Sequence, residues 1–246
     1  MTFSEDEVER YARHLVLAEI GGPGQQALKA ASVLVVGCGG VGGPAALYLA
    51  AAGVGRIGLI DPDTVALSNL QRQIQFTAAD IGAGKAEAAG QGLRALNPHV
   101  AVTAWPEAID ATNVDALVAD HDLVLDGTDD FAVRHRVNRA CIGAGKPLVS
   151  GAIGRWSGQV SVFEGRPCYA CLVPEAPTDA ETCARVGVVG ALAGVVGSMA
   201  ALEAIKRITG AGDPLTGRLL IYDALKAGTR TVRIAPDPAC PVCGSA

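Results

Sequence analysis

The sequence predicts an α/β fold in which a doubly wound, mostly parallel sheet continues into antiparallel strands. Three observations carry this prediction. Up to about residue 150, short apolar strands alternate with segments of helical periodicity, which is typical of successive βαβ units. The first strand runs into a glycine-rich turn, Gly37-Cys-Gly-Gly-Val-Gly42. Beyond it, residues 159–163 alternate in polarity, as a half-buried antiparallel strand does.

The N-terminal segment is predicted to be helical. A capping box of Ser4 and Glu7, followed by apolar residues at helical spacing, predicts a first helix that runs to about residue 20. The sequence Gly21-Gly-Pro23 is expected to end this helix, and a short helix at residues 26–30 leads into the first strand. Arg13 lies on the polar side of the first helix, where charged side chains usually face solvent.

The glycine-rich turn joins a strand at residues 33–36 to a helix that covers residues 45–50. Glycine in such a turn lets backbone N–H groups approach a phosphate at the positive end of the helix. Asp61 ends the next apolar strand, where a Rossmann-like fold places an acid against a ribose. The turn therefore predicts a nucleotide site, and a bend that only packs helix against strand remains the alternative.

The rest of the parallel part follows in regular order. Residues 61–73 form a polar loop that is too long for an ordinary connection, which favours a functional role. The elements expected after it are a helix opened by Lys85 and ended by Pro98, a strand at 100–105, a helix near 114–118, a strand at 123–126, a helix at 131–144 and a strand at 147–150.

The C-terminal part has a different character. Residues 218–222 and 229–234 are predicted to be strands that pair with residues 159–163. Between them, residues 186–202 are apolar and rich in glycine and alanine, and we expect a buried or dimer-interface helix rather than a membrane span. We expect a single domain over residues 1–246, with a nucleotide-binding part at 1–155 and an antiparallel, metal-binding part at 156–246.

Composition narrows the class of protein. The chain has 246 residues, of which 50% are hydrophobic, so it can bury a sizeable core. Its formal net charge of −5 argues against nucleic-acid binding, because phosphate contacts need a basic face. The acidic N-terminus differs from a signal peptide, and the sequence therefore predicts a cytoplasmic protein that does not enter a membrane.

Four of the seven cysteines form two Cys-x-x-Cys pairs, Cys168-Tyr-Ala-Cys171 and Cys240-Pro-Val-Cys243. Four thiolates can close a tetrahedron around zinc without leaving a position for water, so the pairs predict a structural zinc site. A redox pair is the alternative for either motif taken alone.

The other cysteines differ in their surroundings. Cys38 and Cys141 stand among small apolar residues and are expected to be inert and buried. Cys183 lies in a polar segment, where it is either a reactive thiol or an ordinary loop residue.

Cationic and acidic residues near the glycine-rich turn favour phosphate chemistry over hydride transfer. Asn69 and Arg72 lie in the loop after Asp61, and Lys85 follows, so these groups suit the phosphates of ATP. Asp129 follows a strand end, where it is placed to bind magnesium, and either Asp129 or its neighbour Asp130 is expected to cap the helix at residue 131.

Other catalytic motifs are missing. The sequence contains no Walker-type phosphate loop, and its histidines (His14, His99, His121 and His135) form no metal or acid–base motif. Attack by a carboxylate on the α-phosphate of ATP needs no general base, because the nucleophile is already ionised at neutral pH. It needs in-line positioning, magnesium and cations on the leaving pyrophosphate.

Several short motifs follow one another along the chain: Arg10-Tyr-Ala-Arg13, Gly37-Cys-Gly-Gly-Val-Gly42, Asp61-Pro-Asp63, Ser68-Asn-Leu-Gln-Arg-Gln73, Gly84-Lys85, Asp126-Gly-Thr-Asp129 and the paired cysteines. Together they resemble the MoeB/ThiF adenylyltransferases, relatives of the ubiquitin-activating enzymes, over almost the whole chain. The resemblance implies adenylation, dependent on ATP and magnesium, of the C-terminal glycine of a small ubiquitin-like sulfur carrier, with release of pyrophosphate.

The resemblance also implies roles for individual residues. The residues implied to bind ATP and magnesium are Gly40, Asp61, Ser68, Asn69, Arg72, Lys85, Thr128 and Asp129, with Asp129 as the magnesium ligand. Arg72, Lys85 and Asp129 are implied to be catalytic, together with Arg13, which would reach the triphosphate of a neighbouring subunit in a homodimer. The paired cysteines match the zinc ligands of the family, and Cys183 matches a thiol that bonds to the carrier in some members.

Two positions depart from the family pattern: Cys38 replaces an apolar residue and Asp130 replaces an asparagine. The sequence ends just after Cys243, so a separate sulfurtransferase is expected to supply the sulfur. The carrier could serve molybdopterin or thiamine synthesis, and the overall match favours molybdopterin. An NAD-dependent oxidoreductase and a non-catalytic, zinc-stabilised nucleotide-binding module are the alternative functions.

Overall fold

The computed structural model describes residues 2–175 and 187–244. Within these residues the strands are β1 (Ser32–Val36), β2 (Arg56–Ile60), β3 (Ala101–Trp105), β4 (Leu123–Asp126), β5 (Leu148–Gly154), β6 (Ser157–Phe163), β7 (Arg218–Asp223) and β8 (Gly228–Arg233). The helices are α1 (Glu5–Arg10), α2 (Ala12–Leu15), α3 (Gly21–Ala30), α4 (Gly42–Ala51), α5 (Lys85–Leu96), α6 (Val114–Ala119), α7 (Phe131–Ala144), α8 (Tyr169–Leu172) and α9 (Gly190–Thr209).

All of these strands belong to one sheet, in the order β3-β2-β1-β4-β5-β6-β7-β8 across the described part of the chain. The first five strands in this order are parallel, and β5, β6, β7 and β8 pair antiparallel. The predicted fold class is therefore confirmed. The division into parts at residue 155 stays a prediction, because one continuous sheet runs through both.

Side chains of β1 alternate between two apolar cores, one on each face of the sheet. Val33 and Val35 pack into a core with helices α3, α4, α5 and α9, whereas Leu34 and Val36 pack into a core with α6 and α7. A strand that is buried on both faces is continuously apolar, which explains the composition of β1. The result is a sheet covered by helices on both sides.

The order of the strands opens a crevice at the carboxyl ends of β1 and β4. Strand β2 lies on one side of β1 and β4 on the other, so the connections that follow β1 and β4 leave in opposite directions. Glycines allow close packing here: a Cβ on Gly42 would lie 1.9 Å from the carbonyl oxygen of Gly37, and one on Gly197 of α9 would lie 2.6 Å from that of Val41. Helices α4 and α9 thus hold the glycine-rich turn from one side.

The predicted first helix is wrong in extent. In the structure the first helix, α1, ends at Arg10 and is followed by the short helix α2. Helix α3 begins at Gly21, so the sequence Gly21-Gly-Pro23 opens a helix instead of ending one. Proline is compatible with the first turn of a helix, where its missing N–H group is not needed.

The apolar stretch near residues 186–202 contributes to helix α9, which is longer than predicted and packs against α4 and the sheet. Among the described residues, no helix has the length and hydropathy that crossing a membrane requires.

Candidate functional site

A cavity of about 760 Å³ occupies the crevice at the carboxyl ends of the parallel strands. One arm is lined by the glycine-rich turn and polar residues of the following loops: Gly37, Gly39, Gly40, Asp61, Asp63, Asn69, Arg72, Gln73, Lys85, Thr128 and Asp129. The other arm runs over β5 and β6 to α8, where Ser150, Gln159, Ser161, Phe163 and Tyr169 line it. The tertiary structure therefore gathers residues that are up to 183 positions apart in sequence, from Val36 to Leu219.

The Asp61 carboxylate is buried and fixes the glycine-rich turn. Its Oδ2 accepts the backbone N–H of Cys38 at 2.7 Å, and its Oδ1 accepts that of Asp63 at 2.9 Å. Burial raises the pKa of Asp61, and the two N–H donors and Lys85 oppose this shift by favouring the carboxylate. Asp61 thus lines the cavity and also holds the turn in shape, while its contact with a ribose stays a prediction.

Cys38, the unusual residue of the turn, faces the core. Its side chain is 1% exposed and belongs to the apolar core beside α4. Burial raises the pKa of its thiol well above the ordinary value, which agrees with the expected inert role. Cys141 is equally buried in α7, and burial raises its pKa to about 12.

Lys85 is the first residue of α5, and its ammonium group is buried against the cavity. Its Nζ lies 2.7 Å from Asp63 Oδ2, while the side chain of Asp63 is 65% exposed. The backbone holds the same pair together, since Lys85 N donates to Asp63 O at 2.8 Å. A buried cation with one exposed counter-ion is well suited to a polyanionic ligand.

Asn69 ends a short 3₁₀ turn, Leu67–Asn69, and Arg72 follows it, with its backbone N–H donating to the carbonyl oxygen of Asn69 at 3.0 Å. Asn69 Oδ1 accepts the backbone N–H of Ala66 at 3.1 Å, and Arg72 Nη1 donates to the carbonyl oxygen of Ser68 at 3.0 Å. Both side chains line the cavity. Ser68 is exposed and is not part of the cavity wall, so its predicted contact with the nucleotide remains untested.

The two neighbouring carboxylates after β4 have separate roles. Asp130 caps α7, where its Oδ1 accepts the N–H of Val133 at 3.0 Å. Asp129 lines the cavity and has no hydrogen bond or ion pair with any other described residue. The structure thereby decides the alternative that the sequence left open: Asp130 is the cap, and Asp129 is free to bind a ligand.

Thr128 is held in place by the end of β4. Its backbone N–H and its hydroxyl group each donate to Asp126 Oδ1 at 2.9 Å. Its methyl group lies 2.9 Å from the position that a Cβ on Gly37 would occupy, so only glycine fits opposite it. These contacts fix the loop from which Asp129 projects.

Arg134 is a residue of the site that the sequence reasoning missed. It is 5% exposed, lies one turn into α7, and donates to Ser150 Oγ at 2.9 Å, to the carbonyl oxygen of Gly151 at 2.8 Å and to that of Thr128. It thus ties the loop after β4 to β5 beneath the cavity. A lone arginine inside a predicted helix carries no signal of this role.

Two predicted residues are not brought to this cavity. Arg13 is exposed on α2 and is not part of the cavity wall, so its predicted role would need a second subunit. Cys183 lies outside the described residues.

The paired cysteines converge on one point, although Cys171 and Cys240 are far apart in sequence. The four Sγ atoms lie within 4.8 Å of one another, and the sulfurs of Cys168 and Cys240 are 3.7 Å apart. A tetrahedral zinc site with Zn–S bonds of about 2.3 Å sets its sulfurs roughly 3.8 Å apart. Asn138 Nδ2 donates to Cys168 Sγ, and the Asp237 N–H donates to Cys171 Sγ, each at 3.5 Å. The donor set and its polar surroundings fit a metal ion held by thiolates.

The chain is similar to known proteins over nearly its full length. A model of the ThiF family matches residues 11–242. The chain belongs to the ThiF family. It is 46% identical over 253 residues to a sulfur carrier protein adenylyltransferase of Thermus thermophilus, covering 99% of this chain and 93% of that protein. It is 46% identical over 244 residues to the molybdopterin-synthase adenylyltransferase of Escherichia coli, covering 98% of each chain.

Solved structures place this ThiF-family chain in the same fold. The Escherichia coli MccB structure, determined with MccA-N7isoASN, aligns with a TM-score of 0.84 and 26% sequence identity, covering 96% of this chain and 75% of that one. The named relatives are adenylyltransferases, so this ThiF-family chain resembles enzymes of one reaction class over nearly its full length.

Proposed function

We propose that this ThiF-family chain adenylates the C-terminal glycine of a ubiquitin-like sulfur carrier with ATP and magnesium, releasing pyrophosphate. One observation carries the proposal. Arg72, Lys85 and the unpaired carboxylate of Asp129 face the same cavity as the glycine-rich turn. Two cations and one free carboxylate suit a nucleoside triphosphate with its metal ion better than an uncharged ligand. The names of the relatives support the same reaction.

The nucleotide would lie in the arm of the cavity that carries the charges. The glycine-rich turn, including Gly40, would hold its phosphates at the positive end of α4. Asp61 and Asn69 would bind the ribose and neighbouring atoms, while Arg72 and Lys85 would neutralise the leaving pyrophosphate. Thr128 and Asp129 would close the site from the β4 side.

The second arm of the cavity would take the tail of the carrier. An oxygen of its terminal carboxylate attacks the α-phosphorus of ATP, the bond from that phosphorus to the bridging oxygen of pyrophosphate breaks, and an acyl adenylate forms. No residue has to remove a proton, since the attacking group is already ionised. The floor formed by β5 and β6 gives an extended tail a path towards the phosphates.

Asp129 would be the protein ligand of magnesium. Magnesium commonly takes one or two carboxylates and completes its shell with water and substrate phosphates, and a free, exposed carboxylate fits that pattern. The ion would supply positive charge to the phosphates during transfer.

The four converging cysteines, Cys168, Cys171, Cys240 and Cys243, would hold a structural zinc ion. With all four thiolates used, the metal has no position for substrate, and its role is to tie the C-terminal segment to α8.

The remaining parts of the proposal concern partners. A homodimer would let Arg13 of one subunit reach the site of the other, and a separate sulfurtransferase would convert the adenylate. Cys183 would be the thiol that links to the carrier. The name of the Escherichia coli relative favours a carrier of the molybdopterin pathway over a thiamine one. We expect the protein to act in the cytoplasm.

Carrier-dependent exchange of labelled pyrophosphate into ATP tests the proposal. We expect exchange only when magnesium and a carrier that ends in Gly-Gly are present, and no exchange when the carrier lacks its last glycine. Absence of exchange with each candidate carrier, or binding of NAD in place of ATP, would overturn it.

A further inference from the structure

Gln73 is a buried polar residue of the cavity wall whose side chain has no partner. It is 4% exposed and follows Arg72 in the loop that faces the glycine-rich turn. Its backbone is fixed, because its N–H donates to the carbonyl oxygen of Asn69 at 3.0 Å. Its carboxamide makes no hydrogen bond with the described residues, and its Oε1 is fully buried.

Gln75, two positions later, shows what a purely structural glutamine does here. Its Nε2 donates to the carbonyl oxygens of Cys38 at 2.7 Å and Gly39 at 3.2 Å. Gln75 therefore stabilises the glycine-rich turn through hydrogen bonds to its backbone carbonyl groups. Gln73 makes no such contact, so support of the turn does not account for its polar side chain.

A buried carboxamide without partners lowers the stability of a protein, because it loses its hydrogen bonds to water on folding. The donor end of Gln73 is the one that a ligand can reach, because Nε2 has no partner among the described residues and, unlike Oε1, is not fully buried. The Nε2 of Gln73 lies 3.7 Å from the position of a Cβ on Gly39, so the amide donor is the end of the side chain nearest the turn.

The surroundings of Gln73 Nε2 identify the class of the partner. The glycine-rich turn, the N-terminal end of α4 and the guanidinium of Arg72 all attract an anion to this part of the cavity. Ionised phosphate oxygens accept hydrogen bonds and donate none, so an N–H₂ group complements them.

We propose that Gln73 Nε2 donates a hydrogen bond to a phosphate oxygen of the nucleotide bound on the glycine-rich turn. The inference rests on the proposed function for the identity of the nucleotide. It adds a neutral hydrogen-bond donor to the charged groups Arg72 and Lys85. Such a donor orients a phosphate oxygen without adding a further ion pair.

Replacement of Gln73 by methionine tests the inference, with Gln75→Met as the matched control. Methionine has a similar length and no strong hydrogen-bonding group. For Gln73→Met we expect an unchanged or higher melting temperature without ligand, a Kd for ATP raised roughly tenfold, and an unchanged Kd for adenosine, because a hydrogen bond to a charged group is lost. For Gln75→Met we expect a lower melting temperature, because its bonds to the turn are lost.

Direct binding measurements keep this inference separate from the proposed function. Equal ATP affinity in the wild type and Gln73→Met overturns the inference and leaves adenylation untouched. An equal loss for adenosine and ATP also overturns it, since the contact would then be with the nucleoside, and so does a wild-type protein that does not bind ATP. The first two outcomes leave carrier-dependent exchange intact, whereas failure of the wild type to bind ATP would overturn the proposed function as well.

Discussion

Lys85 Nζ and Asp63 Oδ2 lie 2.7 Å apart, and the lysine is buried while the aspartate is largely exposed. The aspartate is therefore the partner that can turn away into solvent. In the ligand-free chain it neutralises a cation that would otherwise be buried alone in the cavity wall. A phosphate that entered the cavity would compete with Asp63 for the same ammonium group.

Asp63→Asn should lower the free energy of unfolding of the ligand-free protein by no more than about 1 kcal/mol, because an exposed partner contributes little. The rise in melting temperature on adding ATP should be larger than in the wild type, because phosphate then replaces the missing carboxylate. Thermal unfolding with and without ATP measures both effects. A smaller ATP-induced rise would show that Asp63 is needed to position Lys85.

Asp129 and Asp130 form a matched pair for mutation. Asp129→Asn should reduce carrier-dependent pyrophosphate exchange by roughly 100-fold or more with little change in stability, because it removes a charge from the reaction site. Asp130→Ala should lower the free energy of unfolding by about 1 kcal/mol through loss of the helix cap and retain most of the exchange activity. Loss of exchange activity in Asp130→Ala, together with loss of stability alone in Asp129→Asn, would show that the two roles are the other way round.

Arg134 and Asp126 form a buried pair, with Arg134 Nη1 3.8 Å from Asp126 Oδ2. Arg134→Met should lower the free energy of unfolding by about 3 kcal/mol, because Asp126 is 1% exposed and would be left as an uncompensated charge. Adding Asp126→Asn should recover part of this loss. Denaturant unfolding of the single and double variants checks the coupling, and strictly additive effects would contradict it.

The cysteine cluster gives a prediction about metal content. The purified protein should carry about one zinc ion per chain, and Cys171→Ser should lose the metal and lower the melting temperature. Cys141→Ser is the control, because Cys141 packs into the apolar core with α6 and is not one of the four converging cysteines. Elemental analysis of both variants decides the matter, and full zinc content in Cys171→Ser would remove this cysteine from the ligand set.

His121 should make stability depend on pH. It is 1% exposed, and burial lowers its pKa below the ordinary 6.5, so the folded state favours the neutral ring. The unfolded chain therefore binds more protons as the pH falls below 6.5, and the free energy of unfolding decreases with it. The stability contribution of the neutral ring is present above this pH and is lost below it.

The fall in the free energy of unfolding between about pH 7.5 and about pH 5.5 should be smaller in His121→Asn than in the wild type. Asparagine can still donate to the carbonyl oxygen of Leu117, which His121 Nδ1 contacts at 2.7 Å. The exposed His99 supplies the control, and His99→Asn should keep the wild-type fall. Equal falls in the wild type and both variants would exclude His121 as the cause.

Local sequence signals predicted strands and most helices well and failed where two elements meet. Strand β4 and helix α7 begin and end as the pattern indicated, because each has a clear apolar period and a clear boundary. The N-terminal helix breaks at Tyr11, whose hydroxyl group accepts a hydrogen bond from Asn97 Nδ2 at 2.9 Å. That bond joins residues 86 positions apart, and no local pattern contains it.

The sequence by itself determined the fold class, the glycine-rich turn, the charged residues of the candidate site and the two cysteine pairs. These depend on residue type and short spacing, which the chain carries along its length. Only the tertiary structure decided that Asp130 is the cap and Asp129 is free, that Arg134 ties two strands beneath the cavity, and that Gln73 is unpaired while Gln75 is bonded. The physical reason is that a side chain's role depends on which partners surround it, and those partners come from distant segments that meet only when the sheet forms.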